Sequence, residues 1–583
     1  MLGITLVDWL VVGTYLLGIT VIGTWAIRKV KDSTSFFISD RKFGSLMMVF
    51  FNFGTGTHSD QAVSVAAKTY RVGASGIWYQ LLWAFSTPFY WVIAPMFRRM
   101  RAVTTSDFFE ARFGQSVGVL YAVVAMMNLI VNIGVMLLGS SKMIAAVSGG
   151  AIDPAAAIAA MTVMFLIYGV AGGLSAAVVT DFIQGMLTIV LSFLILPFAL
   201  WQVGGMSGMR ETIGDAEMFS LVSPEIGLFY IVVISLNGLI GYGTQPHTMG
   251  LCAAGRTEME ARVGMTCGMF IKRFCTVAWV LTGMCAVALY VSERSSPHFD
   301  VDYVYGQMAR DLLPGVLPGL VGIFIASMLA AVMSSCDAFM VACSALFTEN
   351  IYRKLVVKDA GDRHYTMVGR VAAVAAVMIA IYFAFRLESV VKGLEVFWQV
   401  SAIMGLAFWA GLFWRRTTVA GAWAGTLASF AVMLFTSKIS LSDSLQWDFN
   451  ARFAHRLPEI FTFLDVSKSP PELVLYLPWK MVFYLSVGLV TLVVVSLLTR
   501  PVSKQKLERF YACLRTPVRP GEPESGPFTL PPGVEPEPRR VLIDLPGFEI
   551  PRPGLVSVVG VLVTAAAVAA LIAGVYWIFS LGA

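Results

Sequence analysis

The stretch "MLAAVMSSCDAFMVACSALFTENIYRK", residues 328–354, is the part of the chain from which its fold is best inferred. It begins as an apolar run suited to a lipid bilayer, yet it carries the adjacent hydroxyls of Ser334 and Ser335 and the carboxylate of Asp337. Polar side chains at lipid depth are costly, and those that occur normally face a bundle interior or a cavity. The stretch therefore predicts a transmembrane helix whose polar groups have a function.

The rest of the chain shares this apolar character. Of its 583 residues, 57% are hydrophobic and 13% are charged, whereas soluble domains carry about 25% charged residues. Roughly fourteen apolar runs reach the ~20 residues needed to cross a bilayer. The first, Leu6 to Ile27, lacks the basic start and the cleavage site of a signal peptide, so we interpret it as a retained span. The composition predicts an all-α polytopic membrane protein.

Basic residues predict how the chain is oriented. Lys and Arg cluster after the odd-numbered spans, as in "RRMR" at 98–101 and "WRR" at 414–416. Such loops concentrate on the cytoplasmic side, which predicts a multi-pass protein of the plasma (inner) membrane with both termini extracytoplasmic. These loops also account for the net charge of +6, so we expect the lipid bilayer and no nucleic acid as a partner. The seven cysteines lack paired or metal spacing and are predicted to be free thiols.

The spans divide the chain into six predicted segments. Two of these, spans 2–6 and spans 7–11, would be inverted repeats. Residues 500–552 are rich in Pro, Gly and Glu, a composition that cannot bury enough apolar area to fold alone, and are predicted to be a cytoplasmic linker whose partner is unknown. The segments are 1–43 (span 1 and a cytoplasmic loop), 44–205 and 206–412 (the two repeats), 413–499 (spans 12 and 13), 500–552 (the linker) and 553–583 (span 14).

Spans 2 and 7 are interrupted by polar residues, glycine and proline. Span 2 contains "GTGTHSD" at 54–60, and span 7 contains Asn237, Gly238 and Pro246. Interrupted spans at corresponding positions of two halves indicate an inverted-repeat transporter with a binding site at the membrane midplane. The glycines alone would fit simple close packing of helices equally well. His58 and Asp60 favour a cavity, because charged groups at depth normally face one.

One further motif, "LIYGVAGGLSAAVVTDFIQGM" at 166–186, carries a family resemblance. Together with Asp60-Gln61, "GYGTQPH" at 241–247 and the 328–354 stretch, it resembles the signature of the sodium/solute symporter family. The motifs are most similar to the sodium/proline branch, and the layout is similar to the fourteen-span sodium/glucose-type members. The resemblance covers roughly residues 5 to 500. It implies a five-plus-five inverted-repeat core of the LeuT type, with broken helices 2 and 7.

The resemblance also implies a sodium site, because Na⁺ takes hard oxygen ligands. Ser334 and Ser335 supply hydroxyls, and the carbonyl of Ala331 lies one turn earlier on the same face. By similarity to the family, carbonyls freed where span 2 unwinds fall on Gly54 and Thr57. Without the family, paired serines in a membrane helix more often bond to carbonyls of their own helix.

Asp181 and Gln184 form a second candidate group. The family counterpart of Asp181 is implicated in sodium coupling, so Asp181 would ligate a second cation or sense the first. The alternative is a carboxylate at a helix start beside Thr180, where the helix dipole favours negative charge. Gln184, one turn further on, would line the same face.

The solute site is predicted from the family positions on spans 2, 3, 7 and 11. His58 and Asp60 lack a counterpart in the sugar branch and are predicted to tune selectivity. Lys272 stands where sugar-type members also place a lysine, although it would equally fit a side chain reaching toward the cytoplasmic end of span 8. The matching positions are Gln61, Gln80, Asn237, Trp398 and Gln399.

The function implied by the resemblance is sodium-coupled secondary active symport, without enzymatic activity. Na⁺ would be the coupling ion, and a small organic solute, an amino acid or a related compound, would be imported by alternating access. Two other functions stay open. One is a solute-sensing membrane protein on the same fold, and the other is a proton-coupled transporter with His58 or Asp60 as the carrier.

Overall fold

The computed structural model describes residues 4–27, 44–102, 104–293, 299–442, 445–465, 470–519, 521–523 and 525–582. The predicted first cytoplasmic loop lies outside them. The first half of the described chain is helical throughout. Its helices are α1 (Leu6–Ile27), α2 (Ser45–Gly56), α3 (Ser59–Val72), α4 (Trp78–Leu81), α5 (Tyr90–Arg99), α6 (Thr105–Arg112), α7 (Gln115–Val147), α8 (Pro154–Phe193), α9 (Leu196–Gln202), α10 (Gly205–Ile213), α11 (Leu228–Tyr242), α12 (Pro246–Ala253) and α13 (Glu258–Leu289).

The second half adds two short β-hairpins between long helices. In the first hairpin Lys438 pairs with Asp448, and in the second Thr462 pairs with Leu475, both antiparallel. A π-helical turn over Leu346–Tyr352 follows the long helix that carries Ser334. The elements are α14 (Val304–Leu312), α15 (Leu320–Ala345), α16 (Arg353–Leu355), α17 (Asp362–Ala384), α18 (Val390–Ile403), α19 (Gly405–Phe413), α20 (Val419–Phe435), β1 (Lys438–Ser442), β2 (Leu445–Asp448), α21 (Phe449–Phe453), β3 (Thr462–Asp465), β4 (Glu472–Leu475), α22 (Leu477–Leu498), α23 (Lys504–Arg515) and α24 (Leu555–Ser580).

Many of these helices are long and apolar enough to cross a membrane. In the described ranges there are eight such helices, or nine if the bent pair α11 and α12 is counted as one span. Four shorter apolar helices accompany them, at Leu6–Ile22, Ser45–Gly56, Pro154–Leu166 and Val419–Phe435. The fold is that of an α-helical multi-pass membrane protein. The count of fourteen spans stays a prediction.

Helices end where the sequence shows its two interruptions. α2 ends at Gly56 and α3 begins at Ser59, and Thr57 and His58 between them have extended backbones. α11 and α12 are bent by 57° relative to each other. Pro246 opens α12, because a proline without an N–H is tolerated only in the first turn of a helix. At both places backbone groups lack their helical partners and must bond elsewhere.

α13 packs closely against α2 and α3 through glycines. A Cβ atom on Gly268 would lie 2.7 Å from the carbonyl oxygen of Val49 in α2, and one on Gly283 would lie 2.8 Å from Cβ of Thr69 in α3. Glycine lets the two backbones approach more closely than any other residue would allow. The close-packing interpretation also suits span 7, where a Cβ on Gly238 would lie 2.8 Å from Leu82.

Gly268→Ala is expected to lower the melting temperature of the purified protein. Overpacking of this kind costs roughly 1–3 kcal/mol, because the backbone of α2 must move to make room. Gly250→Ala is the matched control, since nothing lies within 4 Å of a Cβ at Gly250. Alanine also forms helices better than glycine, so helix propensity alone would not lower the melting temperature of either variant. Equal melting temperatures for the two variants would contradict the packing described for α13.

The 166–186 motif lies within α8, which runs unbroken from Pro154 to Phe193. The boundary expected between spans 5 and 6 falls in this helix, where the side chains of 167–179, including those of Tyr168 and Leu174, lie outside the described residues. From residue 180 onward, α8 packs against α15 and α1. This placement brings Asp181 beside the serine pair.

The predicted linker is not extended chain. α23 lies within it and buries Leu507, Phe510 and Tyr511 against the rest of the protein. The composition of 500–552 excludes a core of its own, but the loops after the transmembrane helices supply the apolar surface that the segment lacks. The segment is therefore packed on the rest of the protein, while its role as a cytoplasmic linker to span 14 stays a prediction.

Candidate functional site

A buried cluster of oxygen atoms lies where α2, α8 and α15 meet. Ser334 Oγ donates a hydrogen bond to Asp181 Oδ1 over 2.6 Å, and Thr55 Oγ1 donates to Asp181 Oδ2 over 3.5 Å. Ser335 Oγ donates to the carbonyl oxygen of Gly54 over 3.1 Å. All of these residues are buried. Three helices that are distant in sequence thus contribute one carboxylate, three hydroxyls and a carbonyl to one small region.

The broken second span makes this approach possible. A Cβ on Gly54 would lie 3.3 Å from both the carbonyl oxygen of Asp181 and Ser334 Oγ, so α2 rests directly on α8 and α15. The hydrogen bonds of Ser334 and Ser335 reach other helices. This differs from the alternative in which paired serines bond to carbonyls of their own helix.

Two more predicted sodium ligands lie close to this cluster in the chain. Ala331 is buried on α15, one turn before Ser335. Thr57 follows the end of α2 directly, and its backbone N–H donates to the carbonyl oxygen of Gly54 over 3.5 Å. Its hydroxyl is buried and has no hydrogen-bond partner among the residues that the structure describes. A buried hydroxyl without a partner costs about 1–3 kcal/mol, which a ligand would recover.

Asp181 and Gln184 have different partners. Asp181 lies inside α8 and not at the start of a helix, so the alternative of a carboxylate placed there by the helix dipole does not describe it. Gln184 is buried one turn on, and its Nε2 donates to Tyr15 OH of α1 over 3.3 Å. The structure therefore places Asp181 with the serines and connects Gln184 to the first span.

The polar residues of the span 2 break bond mainly to one another. His58 Nδ1 lies 3.1 Å from Asp60 Oδ1 and 3.0 Å from Gln61 Nε2. Gln61 Oε1 also accepts a 3.5 Å bond from the His58 N–H, which makes the pair a capping box for α3. Gln61, predicted as a solute contact, is therefore used at least in part to begin a helix.

Lys272 reaches the same break from α13. Its Nζ donates to the carbonyl oxygen of Gly56, the last residue of α2, over 2.6 Å. Lys272 is buried and lies near the middle of the 32-residue helix. The alternative of a side chain that reaches toward the helix end does not fit this position. A buried cation instead satisfies a carbonyl that the break releases.

The other predicted solute residues form a group further along spans 3, 7 and 11. Asn237 Nδ2 donates to the carbonyl oxygen of Trp398 over 3.0 Å, and Asn237 Oδ1 accepts a bond from Tyr484 OH. Gln399 Nε2 donates to the carbonyl oxygen of Glu395 in its own helix over 3.0 Å. Gln80 accepts a 3.3 Å bond from Arg273 at its backbone, while its side-chain Oε1 has no partner among the described residues.

Glu395 is a buried residue that the sequence analysis missed. Tyr79 OH donates to Glu395 Oε1 over 2.8 Å, Tyr230 OH donates to Tyr79 OH over 3.2 Å, and Lys392 Nζ pairs with Glu395 Oε2 over 3.2 Å. The rings of Tyr79 and Trp398 lie 5.1 Å apart. An acid one turn before Gln399 in an apolar span was the available signal. The hydrogen bonds of Glu395 connect spans 3, 7 and 11 beside the predicted solute residues.

The sequence of most of the chain matches a known family. Residues 36–429, more than half of the chain, match the family described as the sodium:solute symporter family. The chain belongs to the sodium:solute symporter family. The family predicted from the motifs is thus confirmed, and with it sodium-coupled solute symport as the general activity.

Curated relatives of this symporter include transporters of different solutes. The osmoregulated proline transporter OpuE of Bacillus subtilis (strain 168) is 26% identical over 450 residues, which cover 74% of this chain and 89% of that protein. The sodium/glucose cotransporter of Vibrio parahaemolyticus is 24% identical over 480 residues, which cover 76% and 87% of the two chains. Similarity to the proline and the glucose branches therefore extends along most of the chain.

A solved structure shares the fold of the symporter. The Na⁺-coupled sialic acid symporter in its substrate-bound outward-open state superimposes with a TM-score of 0.70 at 18% identity, covering 86% of this chain and 99% of that one. At this identity the match establishes the fold. The symporter therefore has a transporter fold of the LeuT type.

The chemistry of the described residues also limits which cations the symporter site would suit. Within the described ranges, there is no group of three or more His, Cys, Asp or Glu that would hold a metal ion. The cluster at Asp181 consists of one carboxylate with hydroxyl and carbonyl oxygens. Such hard, mostly neutral donors suit an alkali cation better than a transition metal, which favours imidazole or thiolate.

Proposed function

We propose that this protein is a sodium-coupled symporter that imports a small organic solute, an amino acid or a related compound, by alternating access. The observation that carries the proposal at residue level is the buried meeting of Gly54, Ser334 and Ser335 with Asp181. The sodium ligands would be the carbonyls of Gly54, Thr57 and Ala331 with the two serine hydroxyls. Asp181 would act at this same site.

The cluster has the charge balance that a buried Na⁺ needs. Neutral oxygens replace the hydration shell, and a single carboxylate offsets the charge of the ion without the cost of burying several anions. Asp181 already accepts hydrogen bonds from Ser334 and Thr55. An ion there would replace these hydroxyl protons as the positive partner of the carboxylate. The Thr57 hydroxyl, which has no partner within the described part of the chain, lies beside the same helix end.

Coupling follows from which helices the site joins. An ion held by α2 and α15 ties the broken span to the ninth span, and so fixes the break around which the polar residues His58, Asp60 and Gln61 lie. The membrane potential supplies about 2.3 kcal/mol per charge per 100 mV, which inward movement of Na⁺ makes available for import. Release to the cytoplasm would require α2 and α15 to separate as one repeat rocks against the other.

For the solute we propose the region between spans 2, 3, 7 and 11. Asn237, Trp398 and Tyr79 meet there, and the Gln80 amide oxygen has no partner among the described residues. Gln61, Gln399 and Lys272 would act mainly by positioning backbone. The names of the proline-transporting relatives favour an amino acid.

The proposed topology has fourteen spans with both termini extracytoplasmic. Residues 44–205 and 206–412 would be the two repeats, followed by spans 12 and 13 and then span 14. In support, the basic ends Arg99 of α5 and Arg415 after α19 both contact the 500–552 region. The exits of spans 3, 11 and 13 would then lie on one face. Basic clusters on one face are typical of the cytoplasmic side.

The experiment that tests the function compares melting temperatures of the purified protein in sodium and in choline buffer. Wild type is expected to be more stable in sodium, because an ion that binds only the folded state adds its binding free energy to stability. The double variant Ser334→Ala/Ser335→Ala is expected to lose this difference. Uptake of labelled proline, other amino acids and glucose into proteoliposomes under a sodium gradient then identifies the solute.

The same measurements distinguish a sodium symporter from a proton-coupled transporter and from a solute sensor. A wild type with equal stability in sodium and choline contradicts the sodium site. Uptake driven by a pH gradient and lost in Asp60→Asn would replace sodium with proton coupling. Solute-dependent stabilisation without any uptake would make the protein a sensor.

A further inference from the structure

The described residues of 504–549, which we call the strap, are bound to the end of the third span. Arg101 donates to both carboxylate oxygens of Glu522, over 2.5 Å and 2.9 Å, and both side chains are almost fully buried. The backbone N–H of Phe528 donates to the carbonyl oxygen of Met100 over 2.9 Å. Two-point arginine–carboxylate pairs are strong and geometrically specific.

The backbone is strained on both sides of this contact. Arg101 has a φ of 51° and Phe528 a φ of 50°, and within the described ranges these are the two non-glycine residues with positive φ. Such conformations are unfavourable for residues with a Cβ and persist only where the surroundings hold them. Both lie at the same junction, so the strain is concentrated where the strap meets the core.

The strap also binds the second predicted repeat. The Val518 N–H donates to Glu258 Oε1, at the start of α13, over 3.2 Å, and the same carboxylate pairs with Arg99. Arg415, just after α19, pairs with Glu508 and with Glu549, each over 2.7 Å. The strap therefore contacts residues 99–101 at the end of the third span, Glu258 in the second predicted repeat, and Arg415 just after that repeat.

The strap packs on the core through α23 and leaves open space elsewhere. A cavity of about 1250 Å³ lies between the strap and the core, lined on the strap side by Lys506, Phe510 and Phe528 and on the core side by Glu110 and Lys354. The strap moves only if the contacts of Phe510 and Phe528 with Phe108 break together with the ion pairs. Burial acts to raise the pKa of Glu522, but the hydrogen bonds from Arg101 and the Arg519 amide outweigh it and hold this pKa below its usual value. The carboxylate is thus charged at neutral pH.

We propose that the strap is a cytoplasmic lock that holds the ends of the two repeats together, and that the Arg101–Glu522 pair must open before the site can open to the cytoplasm. The proposal rests on the alternating-access function proposed above. Rocking of one repeat against the other changes the distance between Arg101 and Glu258, which the strap bridges. Opening relieves the strain at Arg101 and Phe528, and closing restores the buried ion pair.

Cys513 is a built-in reporter of this movement. Cys513 lies on the strap itself, and its thiol is buried against the end of the third span: it donates to the carbonyl oxygen of Arg99 over 3.2 Å and accepts from Arg101 Nη1 over 3.5 Å. A maleimide can react only when the strap lifts. The test uses the full chain in lipid nanodiscs with the other six cysteines replaced by serine or alanine, and measures the rate of Cys513 labelling.

In this background Cys513 is expected to label at least three times more slowly in sodium than in choline, because sodium holds α2 against α15. Glu522→Gln is expected to label at least ten times faster than the background in sodium and to lose the difference between buffers. Glu535→Gln, an exposed carboxylate on the same strap, is the matched control and should label at the background rate. Glu508→Gln removes a partly exposed attachment and gives a smaller increase if Glu522→Gln does not fold.

Two results would overturn the lock. One is a labelling rate that is equal in sodium and choline in a sample whose melting temperature does rise in sodium, which leaves the transport function standing. The other is unchanged labelling in both Glu522→Gln and Glu508→Gln. If sodium changes neither melting temperature nor labelling, the proposed sodium site fails, and the lock as a part of its cycle fails with it.

Discussion

Asp181→Asn is expected to weaken sodium binding at least about 100-fold, which corresponds to about 2.8 kcal/mol. Asp181 is the one carboxylate in the described oxygen cluster, held by Ser334 and Thr55. Asparagine keeps the size of the side chain and removes its charge. Two unit charges 4 Å apart interact by roughly 4 kcal/mol at an effective dielectric constant of 20, so loss of this term alone accounts for the expected change.

The measurement is the sodium concentration that gives half of the maximal shift in melting temperature, followed by sodium-driven uptake of the identified solute. Asp153→Asn is the control, because this exposed carboxylate begins the same helix and asparagine caps helices equally well. An Asp181→Asn protein with wild-type sodium dependence would show that the carboxylate has only a structural role. A protein that keeps sodium-dependent stability but loses uptake would place Asp181 in coupling instead of binding.

Lys272→Met is expected to reduce uptake at least tenfold and to lower the free energy of unfolding by about 2 kcal/mol. The Lys272 ammonium group is the donor for the carbonyl oxygen of Gly56, which the end of α2 leaves without a helical partner. Methionine fills a similar volume but offers no donor. The buried carbonyl would then have to find another partner, and the geometry of the break would change.

Lys438→Met provides the control for this prediction. Lys438 pairs with Glu388 at the surface, where both side chains are more than half exposed, and such pairs contribute about 0–1 kcal/mol. Uptake and melting temperature are measured for both variants in sodium buffer. A Lys272→Met protein that transports normally would mean that the break is maintained without this lysine.

The sequence was sufficient to predict the family, the membrane class and most residues of the oxygen cluster, because they lie in long specific motifs. It did not predict Thr55, nor that Asp181 meets the serine pair. Asp181 and Ser334 are 153 positions apart, and only the packing of α8 on α15 brings them together. The sequence accordingly left open whether Asp181 ligates a second cation or senses the first.

Local hydrogen bonding explains several other differences. Gln61 and Gln399 stand at the family positions for solute contacts, and each also bonds within three or four residues of its own position. Short-range bonds of this kind compete with ligand contacts and leave no distinct mark in the sequence. Glu395 and the packed strap were missed because their partners lie on other spans.

The glycines of α13 have a consequence for how the protein can change over generations. Since the backbones of Val49 and Ala66 lie against Gly268 and Gly283, both halves of the broken span pack against one continuous helix. The two halves can hinge only as far as their contacts with α13 allow, although the residues between them lack helical hydrogen bonds. Drift to a larger residue at either glycine would need a compensating change on the opposite helix, so these three helices should vary together among relatives while their neighbours vary independently.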